Sequence, residues 1–417
     1  MKKGSSKVWL LSGLVLMFVS SSIRVHAADA LDHWTTIPVT NLNEHVGGGF
    51  GPMIRGVAHG NGRFVAVGLY DISDFGFIES SDDGLNWTVR GDGPSLPPSG
   101  SLYNFQMFDV AFGNGRFVAV GYDGYTRRNL YTSTNGIDWL SATNGNVDNF
   151  FSVAYGNGTF VAVGDGPVNH TSYYPYTNGN IYTSINGTNW IKRNDGSPPD
   201  DAHILYDVVY GTDRFVAVDT SGYAYMSLTG TTWTRTAVGG TSSISFANGK
   251  FIMPHTTGST YVSTDGLTWT VATNNADSSL GHIVYDHGLY AALSGTTLFT
   301  STDATNWISR GVSTAQMVDL IFGPRNLVAV GYATPTPYKA QAIISDPFVT
   351  LNTAGGASPK LSICGLQNHS YEIDYKTNLT DANWNPLATF TLTNSPCVWT
   401  DTTATNTQRF YRTSLLP

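Results

Sequence analysis

The stretch Val110-Ala111-Phe112-Gly113-Asn114-Gly115-Arg116-Phe117-Val118-Ala119-Val120 decides the fold. Two short apolar runs flank Asn-Gly, the pair that tolerates the positive φ of a tight two-residue turn, so the stretch reads as a β-hairpin. Its second run recurs along the chain, at residues 64–67, 117–120, 160–163 and 215–218, with weaker copies at 251–253, 290–293 and 327–330. Downstream of the first six copies stands a second motif, S-x-[D/N/T]-G-x-x-W. Its third position holds Asp83, Asn135, Asn186, Thr229 and Asp265, and Asp303 in a sixth copy where Ala304 replaces the glycine. A short polar side chain there can accept backbone N–H groups of its own turn, while Gly takes the left-handed position. The Trp that follows offers a large ring to bury between neighbouring sheets.

Successive copies of the apolar run begin 36 to 55 residues apart. Each unit then reads as four antiparallel strands, the spacing of β-propeller blades. The last unit has apolar runs at 318–322, 327–330 and 342–345 but no motif Trp, whereas His33-Trp34-Thr35-Thr36-Ile37 has the look of an outer strand with nothing before it. The expectation is an all-β chain: a seven-bladed propeller over residues 31–346, closed by that N-terminal strand, and a small β-sandwich over 348–417. Closing the ring removes exposed sheet edges.

Composition agrees with many strands and turns. Charged residues are 12% of the 417, against roughly 25% in an average soluble domain. Of the 30 acids only Glu44, Glu79 and Glu372 are glutamates, while there are 45 Gly, so good helix formers are scarce. The net charge of −8 argues against nucleic acid, which needs clustered Lys and Arg.

Residues 1–27 read as a signal peptide: Lys2, Lys3 and Lys7, an apolar run over 8–19, then Ala27, Ala28 and Ala30 around a cleavage site. The apolar run is shorter than the ~20 residues a membrane span needs, so the expectation is a secreted, periplasmic or cell-surface monomer without a membrane span after cleavage. In an oxidising compartment Cys364 and Cys397 become disulfide candidates.

The turn motif resembles the Asp-box of sialidase-like (BNR-repeat) propellers, one residue shorter between Asp and Gly, over roughly residues 34–346. The resemblance implies the propeller fold; sialidases, glucan hydrolases, photosystem assembly factors and receptor domains share it, so it does not choose a function. Asn378-Leu379-Thr380 with Trp384, and Arg409-Phe410-Tyr411-Arg412, resemble elements of small β-sandwich modules that end many exported proteins of environmental bacteria.

A sialidase site needs an arginine cluster, a Tyr–Glu pair and an Asp acid/base. Here Arg63, Arg116, Arg214 and Arg325 all precede the apolar strand, and Arg90, Arg193, Arg235 and Arg310 all follow the Trp. Residues that recur with the repeat belong to the fold. That leaves Arg55, Arg127 and Arg128 within the ring; the Arg-Ile-Pro element of sialidases is absent and only Glu44 and Glu79 are available as propeller glutamates, so a sialidase is not expected. With Asp abundant, a polysaccharide-active hydrolase or lyase using rim Asp, Tyr or His is the alternative to a non-catalytic binding protein.

Two groups of site residues stand out. Gly56, Asp109, Ser152, Asp207, Ser243, His282 and Asp319 align at one position of the innermost strands. Asp109, Asp207, His282 and Asp319 are thus channel-mouth candidates, either as a site or as caps on neighbouring strands. The long connectors, 41–53, 69–77, 90–105, 165–180, 192–205 and 332–341, share one rim. They and the strand ends beside them carry Tyr70, Asp71, Asp74, Tyr103, Tyr122, Asp123, Tyr125, Tyr173, Tyr174, Tyr176 and Tyr338. Aromatic faces with short polar groups suit a glycan or an extracellular protein. No spacing indicates a metal or a cofactor.

Overall fold

The computed structural model describes residues 14–18, 34–38, 52–70, 75–84, 86–92, 105–123, 129–142, 148–165, 179–193, 203–239, 243–255, 258–276, 279–286, 289–312, 315–323, 327–333, 339–345, 348–352, 360–364, 370–377, 383–391, 393, 397–404 and 408–415. Every described element is a β-strand, and no helix among them is long and apolar enough to cross a membrane.

Six sheets each consist of four consecutive strands. In the first blade, Pro52–Gly60 pairs with Arg63–Tyr70, then Phe75–Ser81, then Thr88–Asp92. The innermost strands of the other five are Phe105–Gly113, Asn149–Gly156, Leu205–Gly211, Ser245–Ala247 and Ile283–Asp286. The expected seven-bladed ring is corrected here: six blades, not seven, are complete four-stranded units. The remaining sector is a composite sheet, Ala315–Phe322, Leu327–Ala333 and Lys339–Ser345, which lacks the Trp turn and borrows its outer strand, Trp34–Pro38, from the other end of the chain. Trp34 lies opposite Ser345.

The core is distributed between the sheets rather than gathered at a centre. Ala58, Val65 and Val67 of the first blade pack with Val110, Phe117, Ala119, Tyr131 and Trp139 of the second. The same arrangement recurs around the ring, and Trp87 joins Phe64 to Val328 and Val330 of the composite sheet. Each motif Trp thus fills the seam its blade shares with the one before it.

The turns take their backbone from the sequence. Asn114 and Gly115 have φ of 48° and 68°, the pair of left-handed residues that a type I′ hairpin demands. In the motif turn, the Ser81 hydroxyl accepts from Gly84 N at 2.9 Å and Asp83 Oδ1 accepts from Asn86 N at 2.8 Å. Trp87 Nε1 donates to Gly84 O at 2.9 Å. Asn135, Asn186, Asp265 and Asp303 repeat the scheme, and Thr229 does so with its hydroxyl, accepting from Thr231 N at 3.3 Å.

The described register arginines make contacts within the repeat framework. Arg63 Nε meets Asp82 at 2.7 Å and its NH1 donates to Asn135 O in the next blade's turn. Arg90, Arg193 and Arg310 donate to Ser80, Thr183 and Thr300 in their own blades, each at 2.7 Å.

Residues 348–417 do not show the expected self-contained sandwich. Phe348–Asn352, Lys360–Cys364 and Cys397–Thr400 form a three-stranded sheet. Ser370–Lys376, Asn385–Thr391 and Gln408–Leu415 form another, whose fourth strand is Leu14–Phe18 from the stretch read as an address. Of the two disulfide candidates, Cys397 stands as a free thiol, and the side chain of Cys364 lies outside the described residues. Cys397 lies opposite Ile363 in the strand pair.

Candidate functional site

The ring exposes two faces. Hairpin turns and motif turns lie on one; connectors between second and third strands, and between blades, leave from the other. Most of that connector rim lies outside the described residues, including Asp71, Asp74, Tyr103, Tyr125, Tyr173, Tyr174, Tyr176 and Tyr338, as do the side chains of Tyr70 and Asp123. Tyr122, on Arg116–Asp123, is half-buried. At the same end of the third blade, Asp148 accepts from the Tyr182 hydroxyl and, at 3.1 Å, from Lys192. Burial pushes the nearby Asp165 carboxyl up to about 7, against a hydrogen bond from Asn149 and with the Asp148 charge adding to the rise.

The channel wall is described throughout. Asp319 Oδ2 in the composite sheet accepts from Val57 N in the first blade at 2.8 Å. Asp109 Oδ2 in the second accepts from Val153 N in the third at 2.9 Å. Ser152 Oγ in the third accepts from Val208 N in the fourth at 3.3 Å, and Asp207 Oδ2 in the fourth accepts from Ile244 N in the fifth at 2.9 Å. Ser245 Oγ in the fifth takes Ile283 N in the sixth at 2.8 Å, and His282 Nε2 in the sixth reaches Asp319 Oδ1 at 3.2 Å. Every innermost strand except that of the first blade is thereby fastened to the next. The second carboxylate oxygens of Asp109, Asp207 and Asp319 accept from the N–H of the following residue. Blade 1 has no acid in this ring because a Cβ on Gly56 would stand 3.0 Å from Asp109 Cα.

Asp109 and Asp207 converge on one hydroxyl: Ser152 Oγ is 2.9 Å from Asp109 Oδ2 and 2.9 Å from Asp207 Oδ1. A hydroxyl has a single proton to donate. With both carboxylates ionised, one of those contacts would set oxygen against oxygen, so the trio is satisfied when one carboxyl carries a proton. Burial pushes Asp109 up to about 8; the Val153 N–H opposes this, and the charges of Asp319 and Asp207 add to it. Burial raises Asp207 as well, against the Ile244 N–H and the His282 charge. Among the described residues no group of three or more His, Cys, Asp or Glu is placed to hold a metal ion.

Directly above this belt, toward the connector rim, five innermost strands break register by one residue. The bulges fall between Ile54 and Gly56, Met107 and Asp109, Phe150 and Ser152, Leu205 and Asp207, and Met317 and Asp319. The unpaired residues are Arg55, Phe108, Phe151, Tyr206 and Val318, all half-buried. A bulge re-aims a side chain off the alternating pattern. Here it turns aromatic rings along the wall of the channel: Phe108 and Phe151 have centroids 5.5 Å apart, and Phe151 and Tyr206 stack at 5.0 Å and 8°. In four of the five the residue beside the bulge on the paired strand is a glycine, and in the fourth blade it is Asp219. At Gly121 a Cβ would lie 1.9 Å from Gln106 O, and Gly68, Gly164 and Gly331 are approached in the same way.

Alignment of the repeats found Asp109, Asp207, His282 and Asp319, and the structure gathers all four in the fastening belt. The column one residue earlier escaped it, except that Arg55 stood out as an arginine off both repeat registers.

No family model matches the sequence, and no curated protein sequence matches it. Solved structures do resemble the chain. YCF48 from Cyanidioschyzon merolae is 13% identical with a TM-score of 0.50, covering 75% of this chain and 98% of that one. A YCF48 bound to D1 peptide is 14% identical with a TM-score of 0.54, covering 75% and 96%. PorZ, a surface component of the type-IX secretion system of Porphyromonas gingivalis, is 14% identical at 0.50, covering 82% of this chain and 54% of its own. At such identities the likeness shows a β-propeller fold.

Proposed function

We propose that the chain is an exported propeller that binds a glycan or an extracellular protein through the connector rim of its first three blades and composite sheet, without catalysis. One observation carries the reading: every carboxylate oxygen of the channel acids Asp109, Asp207 and Asp319 already accepts a hydrogen bond or faces His282. General acid/base work needs a carboxyl within reach of substrate, and these are spent on holding strands together. Two of the similar propellers fit a binding role, one bound to a peptide and one a bacterial surface component. The Ser-Asp turn geometry supports grouping the chain with Asp-box propellers, and the basic and apolar N-terminus supports export with cleavage after Ala27.

The test is a glycan array and an extracellular-protein array probed with the purified chain, followed by product analysis on every glycan hit. Binding without turnover is expected; a cleaved product would overturn the non-catalytic reading. N-terminal sequencing of the exported chain is expected to begin at Ala28.

A further inference from the structure

The bulge row at the channel mouth is built for a ligand, and it narrows the binding reading on which it rests. Three rings stand on three consecutive blades, Phe108, Phe151 and Tyr206, and on the other side of Phe108 the same column holds Arg55. Arg55 Nε is buried and has no hydrogen-bond partner among the described residues. A buried N–H without an acceptor is a standing cost to the fold, relieved when something else supplies the acceptor. In a chain of net charge −8, a cation so placed selects an anion locally. The belt of acids beneath does not oppose it. Asp319 is shared between two backbone N–H groups and His282, and the Asp109–Ser152–Asp207 trio is satisfied by holding a proton.

The ring geometry decides between ligand classes. A sugar stacks its C–H face on an open aromatic face. Phe151 has Tyr206 stacked on one face at 5.0 Å and Phe108 tilted against it at 5.5 Å, so the faces these rings share are already covered, which favours an apolar side chain over a sugar. We propose that the channel mouth docks a peptide segment of a partner protein, with an apolar or aromatic side chain against Phe108, Phe151 and Tyr206 and a neighbouring carboxylate on Arg55. The guanidinium fork suits a carboxylate better than an ammonium would.

The test pans a random dodecapeptide display library on the immobilised full chain. Enriched peptides are then remade with a fluorescein label for anisotropy on wild type, Arg55→Gln, Arg55→Lys and Phe151→Ser, with Phe151→Leu as a variant that keeps the packing. Enriched sequences are expected to place an acidic residue within two positions of an aromatic or branched apolar one. Affinity is expected to fall about tenfold or more in Arg55→Gln, and equally when the peptide acid becomes its amide, with partial recovery in Arg55→Lys. Phe151→Ser is expected to weaken binding more than Phe151→Leu, thermal melts of each variant being read alongside. Peptides that bind Arg55→Gln and Phe151→Ser as tightly as wild type would overturn the docking site while leaving the rim reading intact. A chain that captures neither peptides nor any arrayed glycan or protein would overturn both.

Discussion

Asp265 and Asp109 are the same residue type under opposite rules. Asp265 sits in a motif turn on the open face, where N–H groups of Leu267 and Thr268 point at one oxygen from 2.8 and 2.7 Å. The Thr268 N–H leads in holding its carboxyl down to about 2, partial desolvation notwithstanding. Asp109 also accepts backbone N–H groups, yet it is enclosed by strands beside two other acids, and its carboxyl is raised to about 8. Hydrogen bonds to the charged form win where water still solvates the group; desolvation wins where it does not. The propeller therefore uses ionised acids to shape its turns and a proton-holding acid to join its blades.

Substitutions can break that contrast from either side. The largest effect is expected from Asp109→Ala, which strips the acceptors from Val110 N and Val153 N at once and leaves the Ser152 hydroxyl with Asp207 alone. With buried donors costing about 1–3 kcal/mol each, the loss is about 3–5 kcal/mol, read as a lower midpoint in urea unfolding. Asp265→Ala removes a turn acceptor that water can replace, and is expected to cost about 1 kcal/mol in the same assay. A comparable loss at both positions would erase the distinction. The smallest effect sharpens it from the turn side. Ala304 occupies at φ 62° the place that Gly holds in the other five turns, and a left-handed Ala costs about 1 kcal/mol. Ala304→Gly is expected to return part of that as a small rise in Tm.

The turn side was legible in the sequence because its chemistry is local. Asn114-Gly115 and Ser81-x-Asp83-Gly84 specify positive φ and short caps within a few residues, and the structure places them as the repeat implies. The channel side was half legible. Alignment put Asp109, Asp207, His282 and Asp319 in one column, and the capping role of the acids followed from how Asp bonds neighbouring N–H groups. The bulge was not legible from strand alternation, because a one-residue slip shifts which side chains share a face. The sign of it was present all the same, in Gly68, Gly121, Gly164 and Gly331 just after four of the apolar runs, where a carbonyl of the paired strand comes close.

The blade count erred in treating the last sector as equal to the rest. Its strands at 315–345 have no Trp turn to close an outer strand of their own, so Trp34–Pro38 supplies it. The C-terminal sheets escaped for a related reason. A segment set apart as an export address, Leu14–Phe18, pairs with Gln408–Leu415, from Leu14 opposite Arg412 to Phe18 opposite Gln408. If Ala27–Ala28 is cleaved on export, the mature sheet loses that edge strand.

The most direct test of the central claim, that the channel acids hold the ring together and retain a proton in doing so, is the pH dependence of urea unfolding between pH 4 and 9. Asp109 is raised from 3.8 to about 8, so the folded state binds more protons than the unfolded chain between those values. Glu79, buried with neither carboxylate oxygen partnered and raised from 4.5 to about 8, acts in the same direction. Stability from both is complete below about pH 4 and is lost as pH rises through about 8. Asp165, raised to about 7 outside the channel, acts likewise, so in a Glu79→Gln, Asp165→Asn background that isolates the channel stability is expected to decline steadily from pH 5 to pH 8 and level off above. The further change Asp109→Asn is expected to flatten that decline. A profile that rises with pH over this range, or a slope untouched by Asp109→Asn, would contradict the account.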